Sequence, residues 1–133
     1  MTKKTKEIIP VIGLAKPRGV WSVVTKALPG QLIFVSGLLS KDEAGEIVGA
    51  GDITAQTEQV LKNLVTALAS ADATLEDIVR VDVYVRDIKQ FDKIHAVRAK
   101  YFLKDPPAST MVEVSGMTDE RCLIEINAIA VIP

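Results

Sequence analysis

The sequence has 133 residues, of which 48% are apolar, so the chain is long enough for one domain with a sizeable core. Sixteen lysines and arginines balance 17 aspartates and glutamates, and no basic run is long enough to follow a phosphate backbone, which argues against nucleic-acid binding. No apolar run approaches the ~20 residues that span a bilayer, so we expect no membrane partner. The apolar fraction also favours an oligomer, because a small domain leaves apolar surface to cover.

The sequence contains few residues suited to metal or disulfide chemistry. It has one cysteine, Cys122, and one histidine, His95, which together make a poor metal site, and its glycines form no phosphate-binding loop. We therefore expect no metal and no cofactor. Cys122 lies in an apolar run and is predicted to be a buried core thiol, which fits a reducing compartment such as the cytoplasm.

The N-terminus imitates a signal peptide only weakly. Lys3, Lys4 and Lys6 precede the apolar run IIPVIGLA, but this run is short and is interrupted by Pro10 and Gly13. We therefore expect no secretion, in agreement with a cytoplasmic protein.

The first part of the chain alternates strand and turn signals. Residues 1–20 contain several prolines and glycines and form an irregular lead-in with room for one short strand. Strand character follows at 21–28 and 31–37, and the turn residues Pro29 and Gly30 separate these two strands. This pattern predicts two neighbouring strands before any helix begins.

The middle of the chain predicts a loop, a long helix and a strand. Residues 40–51 are polar and glycine-rich, and Asp52 is suited to cap a helix over 53–70. The helical stripe of this segment consists of Ile53, Val60, Leu61, Leu64, Val65 and Leu68. Residues 78–85 then alternate apolar and polar side chains, which predicts a strand with one dry face and one wet face.

A second helix and two strands complete the chain. Asp87 begins a helix over 88–102, and the two prolines of the KDPPAS segment at 104–109 must end it. The remaining signals are strands at 110–114 and 122–133 and a loop at 116–121. The order predicts an α+β fold, a single domain over 1–133, with two helices packed on one face of a mixed sheet. The last strand is apolar on both sides, so the other face of the sheet is expected to be dry and covered by another copy of the chain.

Three polar residues do not fit a plain core. Glu125 lies between two isoleucines in the last strand, where a carboxylate is costly unless it is paired or functional; it is either a functional group or part of an ion pair at an exposed edge. His95 and Arg98 lie one turn apart on the apolar stripe of the second helix. They are either a satisfied core or interface histidine and a snorkelling arginine or a pair that holds a carboxylate.

Several stretches, in order, resemble the RidA (YjgF) family of reactive-intermediate deaminases. They are LIFVSG (32–37), GEIV (45–48), DITAQTEQVLKNL (52–64), DIVRVDVYVRDIKQFDKI (77–94), PPAS with VEV (106–114) and IEINAIAV (124–131). The resemblance implies a chorismate-mutase-like fold and a homotrimer with three ligand clefts between subunits. It also implies hydrolysis of reactive enamines and imines to 2-oxo acids and ammonia, without a metal or a cofactor.

The resemblance assigns roles to several residues, and at some of these positions this chain differs from the usual family residue. The cleft glutamate of the family falls on Glu125, where it is expected to position or activate water, and the backbone glycine after the second predicted strand falls on Gly37. The aromatic residue near the N-terminus is Trp21. The arginine that normally clamps the substrate carboxylate is replaced by Ser109, next to Thr110, another candidate hydroxyl donor.

The second helix also differs from the family pattern, because His95 stands where the family has a cleft asparagine and Arg98 stands where it commonly has an aromatic residue. We hypothesise that these two residues rebuild the anion site, with His95 kept neutral by burial beside Arg98 and available as an acid or base. The sequence thus favours a hydrolase acting on C=N bonds of a small anionic metabolite. The alternatives are a metabolite-binding or chaperone-like trimer without turnover and, with little support from the charge, an RNA-cleaving enzyme.

Overall fold

The computed structural model describes residues 5–133, so Lys3 and Lys4 of the signal-like start lie outside the described residues. Its elements follow the predicted order, with the short strand of the lead-in present. They are β1 (Lys6–Ile9), β2 (Val24–Ala27), β3 (Gln31–Leu38), α1 (Ile53–Ala69), β4 (Ile78–Val85), α2 (Phe91–Tyr101), β5 (Ala108–Glu113) and β6 (Ile124–Ile132). Short 3-10 turns at Leu75–Asp77 and Ile88–Gln90 precede β4 and α2.

The main sheet has four strands in the order β3-β6-β4-β5. The β4–β5 pair is parallel and the other two pairs are antiparallel, which confirms the predicted mixed sheet. The strands β1 and β2 form a separate antiparallel pair. Strand β6 is central, so it is paired along both edges, with β3 and with β4.

Helix α1 forms where its apolar spacing and cap predict it. The Asp52 carboxylate accepts a hydrogen bond from the backbone N–H of Ala55 at 3.1 Å and satisfies one free donor of the first turn. The buried face of the helix carries Val60, Leu61, Leu64 and Leu68, which pack with α2 and the sheet. Burial of each such leucine contributes about 2 kcal/mol, so this face fixes the helix on the sheet.

Helix α2 is shorter than predicted, because its first turn is 3-10. Asp87 caps that turn by accepting from the backbone N–H of Lys89 at 3.0 Å, and the α-helix begins at Phe91. Its buried residues are Ile94, Val97 and Arg98. A helix of eleven residues therefore buries an arginine together with two aliphatic side chains.

The helix-packed face of the sheet is the dry face, as predicted. Its buried side chains are Val81, Val83 and Val85 on β4 and Ile124, Ile126, Ala128 and Ala130 on β6. A register shift between Ile78 and Arg80 turns Ile78 into the core as well, although strict alternation assigned it to the wet face.

The expectation that the other face is equally dry is wrong at its centre. Asn127 donates to Asp82 at 3.1 Å, and Arg80 donates to Asp82 at 2.8 Å and to Thr110 at 2.9 Å. This polar network crosses three strands and is flanked by exposed apolar side chains on β3. The uncovered face therefore mixes charged and apolar groups. The homotrimer that would cover it stays a prediction.

Within residues 5–133, no helix is both long enough and apolar enough to cross a membrane. Cys122 is fully buried, as predicted, and it lies just before β6 rather than inside it. Burial raises the pKa of its thiol, so it is an unreactive core residue at neutral pH.

Candidate functional site

The structure separates the candidate residues into two groups. Gly37 and Glu125 lie together where β3 pairs with β6, and we call them the glutamate site. The second group, which we call the arginine cluster, consists of Trp21, His95, Arg98 and Ser109. Thr110 belongs to neither group, because its hydroxyl accepts from Arg80 in the polar network of the uncovered face.

The glutamate site is built around a β-bulge. The register of β3 against β6 shifts between Val35 and Leu38, which places Gly37 in the irregular stretch. A Cβ atom at Gly37 would overlap the carboxylate of Glu125, so that carboxylate rests directly on the glycine backbone. Bulges interrupt the ladder and expose backbone groups, and they are common beside active sites. Glu125 and Gly37, which the resemblance assigned separately, thus lie in direct contact.

The two groups lie on opposite faces of the sheet within one chain. Glu125 pairs with Tyr84 on β4, and Tyr84 pairs with Val112 on β5. Ser109 is three positions from Val112, and an odd spacing along a strand reverses the side-chain direction. In addition, β6 and β5 are two strand spacings apart, which separates the two residues by about 10 Å within the sheet. One copy of the chain therefore does not bring Glu125 and Ser109 into contact.

Arg98 is the central group of the arginine cluster, and it is only 1% exposed. Its Nη2 donates to the hydroxyl of Ser109 at 3.1 Å and to the backbone carbonyl of Val20 at 3.3 Å. Its Nε has no hydrogen-bond partner within residues 5–133, and none of the ion pairs found there involves Arg98. Burial lowers the pKa of Arg98 to about 10, so it stays charged at neutral pH.

His95 is held by aromatic contacts rather than by hydrogen bonds. Its ring stacks on Phe91 at 3.9 Å with an interplanar angle of 24°, and it meets Trp21 edge-on at 5.6 Å and 87°. Both ring nitrogens are buried and lack a partner in the described part of the chain. Burial and, second, the charge of Arg98 lower the pKa of His95, in the direction expected from the sequence, so the neutral ring predominates at pH 7.

These contacts bear on two of the open alternatives. Arg98 does not snorkel, because its whole side chain is buried, and neither ring nitrogen of His95 has a close hydrogen-bond partner within residues 5–133. A charged guanidinium with a free donor next to an unpaired imidazole can bind a carboxylate. Both groups contact residues of their own chain in this conformation.

Sequence reasoning missed three residues that contact the arginine cluster. Phe91 precedes His95 by four positions, so helical spacing could have identified it as a ring contact. A Cβ atom at Gly19 would overlap both His95 and Trp21, so only glycine fits beneath the histidine. Val20 contributes a backbone carbonyl, for which a sequence carries no signal.

The described residues contain no group of three or more histidine, cysteine, aspartate or glutamate side chains arranged to hold a metal ion. The candidate ligand-binding groups of the two regions are the Glu125 carboxylate in one and the Arg98 and His95 nitrogens in the other.

Comparison with known proteins gives consistent matches over nearly the whole chain. The protein-family model described as Endoribonuclease L-PSP matches residues 14–132. A RutC family protein of Pyrococcus horikoshii is 42% identical over 126 residues, which cover 94% of this chain and 97% of that protein. The 3-aminoacrylate deaminase RutC of Acinetobacter baylyi is 35% identical over 125 residues, which cover 94% of this chain and 97% of that protein.

The fold matches solved structures of the same group. A protein of unknown function of the conserved Rid protein family from Yersinia pestis superposes with a TM-score of 0.90 at 31% identity and covers 97% of this chain and all of that one. A member of the YjgF/YER057c/UK114 family from Mycobacterium tuberculosis gives a TM-score of 0.68 at 34% identity, over 84% of this chain and 86% of that one. Sequence and fold agree, and the chain belongs to the RidA (YjgF) family.

Proposed function

We propose that the protein is a hydrolytic deaminase that converts a small reactive imine or enamine to a 2-oxo acid and ammonia. Its family supports this proposal, as does the 35% identity to a protein named 3-aminoacrylate deaminase. The observation that carries it is the Glu125 carboxylate resting on Gly37 beside a β-bulge. This arrangement provides a general base next to exposed backbone, which is what water attack on a polarised carbon requires.

The reaction needs one base and no redox partner. The oxygen of water bonds to the imine carbon while Glu125 takes a proton from that water. The carboxyl group then returns the proton to the nitrogen, which gives a carbinolamine. In a second transfer Glu125 takes the hydroxyl proton and delivers it to the amino group, so that the C=O bond forms as the C–N bond breaks, and the products are the 2-oxo acid and ammonia. An enamine reaches the same imine by gaining a proton on carbon and losing one from nitrogen.

The substrate carboxylate in this proposal binds to Arg98, with His95 beside it. Arg98 has unused donor capacity and no carboxylate partner within residues 5–133, and its Nη2 reaches Ser109, the position where the family arginine is missing. A helix arginine would thus replace a strand arginine. Whether the bound ligand is a 2-imino acid or a longer anion depends on how far Arg98 lies from the Glu125 that it works with.

That Glu125 belongs to a neighbouring copy in this proposal. Within one chain the two groups are on opposite faces of the sheet, and β3 leaves Leu32 and Phe34 59% and 71% exposed on the face of Glu125. Association of copies through this face would bury apolar surface and could bring the glutamate site of one copy to the arginine cluster of the next. A homotrimer provides three such clefts.

The decisive assay is hydrolysis of 2-iminobutanoate generated in situ. We expect the protein to accelerate it, and Glu125→Ala to lower kcat by about 100-fold or more, because a general base is lost. Glu120→Ala is the matched control, since this glutamate lies exposed in the loop before β6. Acceleration that survives Glu125→Ala, or no acceleration of either 2-iminobutanoate or 3-aminoacrylate, would contradict the proposal.

Mixed oligomers test the two-copy site. Glu125→Ala and Arg98→Met, each inactive alone, are co-expressed with different tags, and the mixed species is purified. If each cleft takes Glu125 from one copy and Arg98 from another, every mixed trimer restores one of its three clefts, so activity should recover to about a third of the wild-type value. No recovery above either parent would contradict the two-copy site.

A binding module without turnover is the second candidate, because Ser109 replaces the clamp and Arg98 is closed off from solvent. It predicts that 2-oxobutanoate binds while neither imine is hydrolysed, and Ser109→Arg would then be tested for a gain of hydrolysis. The family model is described as an endoribonuclease, but a net charge of −1 gives little support for RNA binding by this chain.

A further inference from the structure

The anion site proposed above is closed in this conformation. Arg98 is 1% exposed, and both ring nitrogens of His95 are fully buried. A substrate carboxylate therefore cannot touch either group unless something that covers them moves.

The cover is a segment near the N-terminus, residues 12–21, which we call the N-terminal strap. The Val20 carbonyl accepts from Arg98 at 3.3 Å, and Trp21 packs edge-on against His95. Gly19 lies so close to the His95 ring that a Cβ atom there would overlap its Nε2. The last three residues of the strap thus form the lid of the arginine cluster.

The strap is anchored at its ends and held weakly between them. On one side β1 pairs with β2, and on the other Ser22 donates its backbone N–H to the carbonyl of Pro107 at 3.0 Å. Residues 12–19 are all exposed, and the backbone hydrogen bonds found within residues 5–133 do not tie them to another part of the chain. Gly13 has a positive φ of +96° and open space around it, which suits a bend. Such a segment opens at low cost.

The hydrogen bond from Arg98 to the strap is also easy to replace. At 3.3 Å it is longer than a usual N–H···O bond, and its acceptor is an uncharged carbonyl. A carboxylate adds a full negative charge and a second acceptor oxygen, so it can form two parallel bonds with the guanidinium, and a buried cation with an unused donor gains most from such a pair.

We propose that the Val20 carbonyl occupies the position of the substrate carboxylate on Arg98, and that the N-terminal strap lifts so that one replaces the other. This inference rests on the anion site of the proposed function. It adds that the strap covers the anion site when no ligand is bound, and that Gly19, Val20 and Trp21 control access to the Arg98 guanidinium.

Trp21 is the only tryptophan, so intrinsic fluorescence reports on the strap directly. We expect titration with 2-oxobutanoate to shift Trp21 emission to longer wavelength with saturation, and butan-2-one, which lacks the carboxylate, to have no effect. Hydrogen–deuterium exchange of residues 12–20 should become severalfold faster in the complex. Arg98→Met should abolish both changes.

Gly19→Ala provides an independent test. The added methyl group would overlap His95 and Trp21 and should push the strap off the cluster. We expect Trp21 emission to be shifted without ligand and the Kd for 2-oxobutanoate to fall by about tenfold, because the binding-competent state is more populated. Gly116→Ala, where the methyl group meets open space, is the matched control.

The outcomes separate this inference from the proposed function. If calorimetry detects binding of 2-oxobutanoate while Trp21 emission and the exchange of residues 12–20 stay unchanged, the strap does not move and the inference is wrong. An absence of binding overturns it as well. The imine assay with Glu125→Ala decides the deaminase proposal separately. If Gly19→Ala does not fold, exchange in the wild-type protein is decisive.

Discussion

The glutamate site and the arginine cluster are assembled by different means. Gly37 and Glu125 lie on neighbouring strands, where ladder pairing sets their contact, and Gly37 is exposed. The arginine cluster joins the N-terminal strap, α2 and β5, and Val20 and Arg98 are 78 residues apart in sequence. Both contacts join residues that are far apart in sequence, but the base is positioned by the pairing of two strands within the sheet, whereas the cation is positioned by the packing of a loop, a helix and a strand. Substitutions should change the chemical step in the first region and the binding of ligand in the second.

The largest expected effect is that of Gly37→Ala. Its methyl group would overlap the Glu125 carboxylate and displace the base, so kcat for imine hydrolysis should fall by about 100-fold while the fold persists. Steady-state kinetics and circular dichroism measure the two quantities. Gly116→Ala serves as the control, and an unchanged kcat in Gly37→Ala would show that the close contact is not needed for catalysis.

Arg98→Lys should act on binding rather than on chemistry. Lysine keeps the charge but loses the fork that grips a carboxylate, so KM should rise by about tenfold with kcat nearly unchanged. A fall in kcat with constant KM would instead assign Arg98 to the chemical step.

The free energy of unfolding should change by about 1 kcal/mol or less in Arg98→Met, because two hydrogen bonds are lost but a buried charge without an anionic partner is removed. Urea unfolding measures this change.

The pH dependence of stability distinguishes the two regions further. Burial holds the pKa of His95 below its ordinary value of 6.5, so the unfolded chain binds this proton more readily. The resulting stabilisation is complete above pH 6.5 and is lost as the pH falls below it towards the folded pKa. His95→Phe should remove this slope between pH 5 and 6.5, measured by urea unfolding. Because the chain has one histidine, its NMR titration gives the folded pKa directly, and a midpoint at or above 6.5 would contradict the prediction.

The smallest expected effect is that of Ser109→Ala. It removes one neutral acceptor from Arg98 and should destabilise the fold by about 1 kcal/mol. Thr110→Ala, which loses the bond from Arg80 on the other face, is the matched comparison. If Ser109→Ala changes KM for the imine more than Arg98→Lys does, the serine itself contacts the substrate.

The sequence predicted the local structure well because short-range rules govern it. Apolar spacing and the Asp52 cap identified α1, and alternation identified β4 to the residue. The errors arose where other forces competed. The bulge after Ile78 reversed one side chain, and the polar network of Asp82 and Asn127 occupies a face expected to be apolar.

The candidate site was predictable only in part. Helical spacing placed His95 and Arg98 on one stripe, and the family resemblance gave the role of Glu125, but neither indicated which groups cover the cation. A carbonyl such as that of Val20 is present at every residue, so no sequence pattern marks the one that is used.

The sequence alone therefore determined the elements, the family and the absence of an arginine at position 109, because these depend on residue identity and on spacing within one or two turns. Only the tertiary structure decided that Glu125 rests on Gly37, that it lies across the sheet from Ser109, and that the strap closes over Arg98. Those facts depend on strand register and on contacts between distant segments. The free energy of such contacts comes from burial of the whole chain rather than from any single stretch of it.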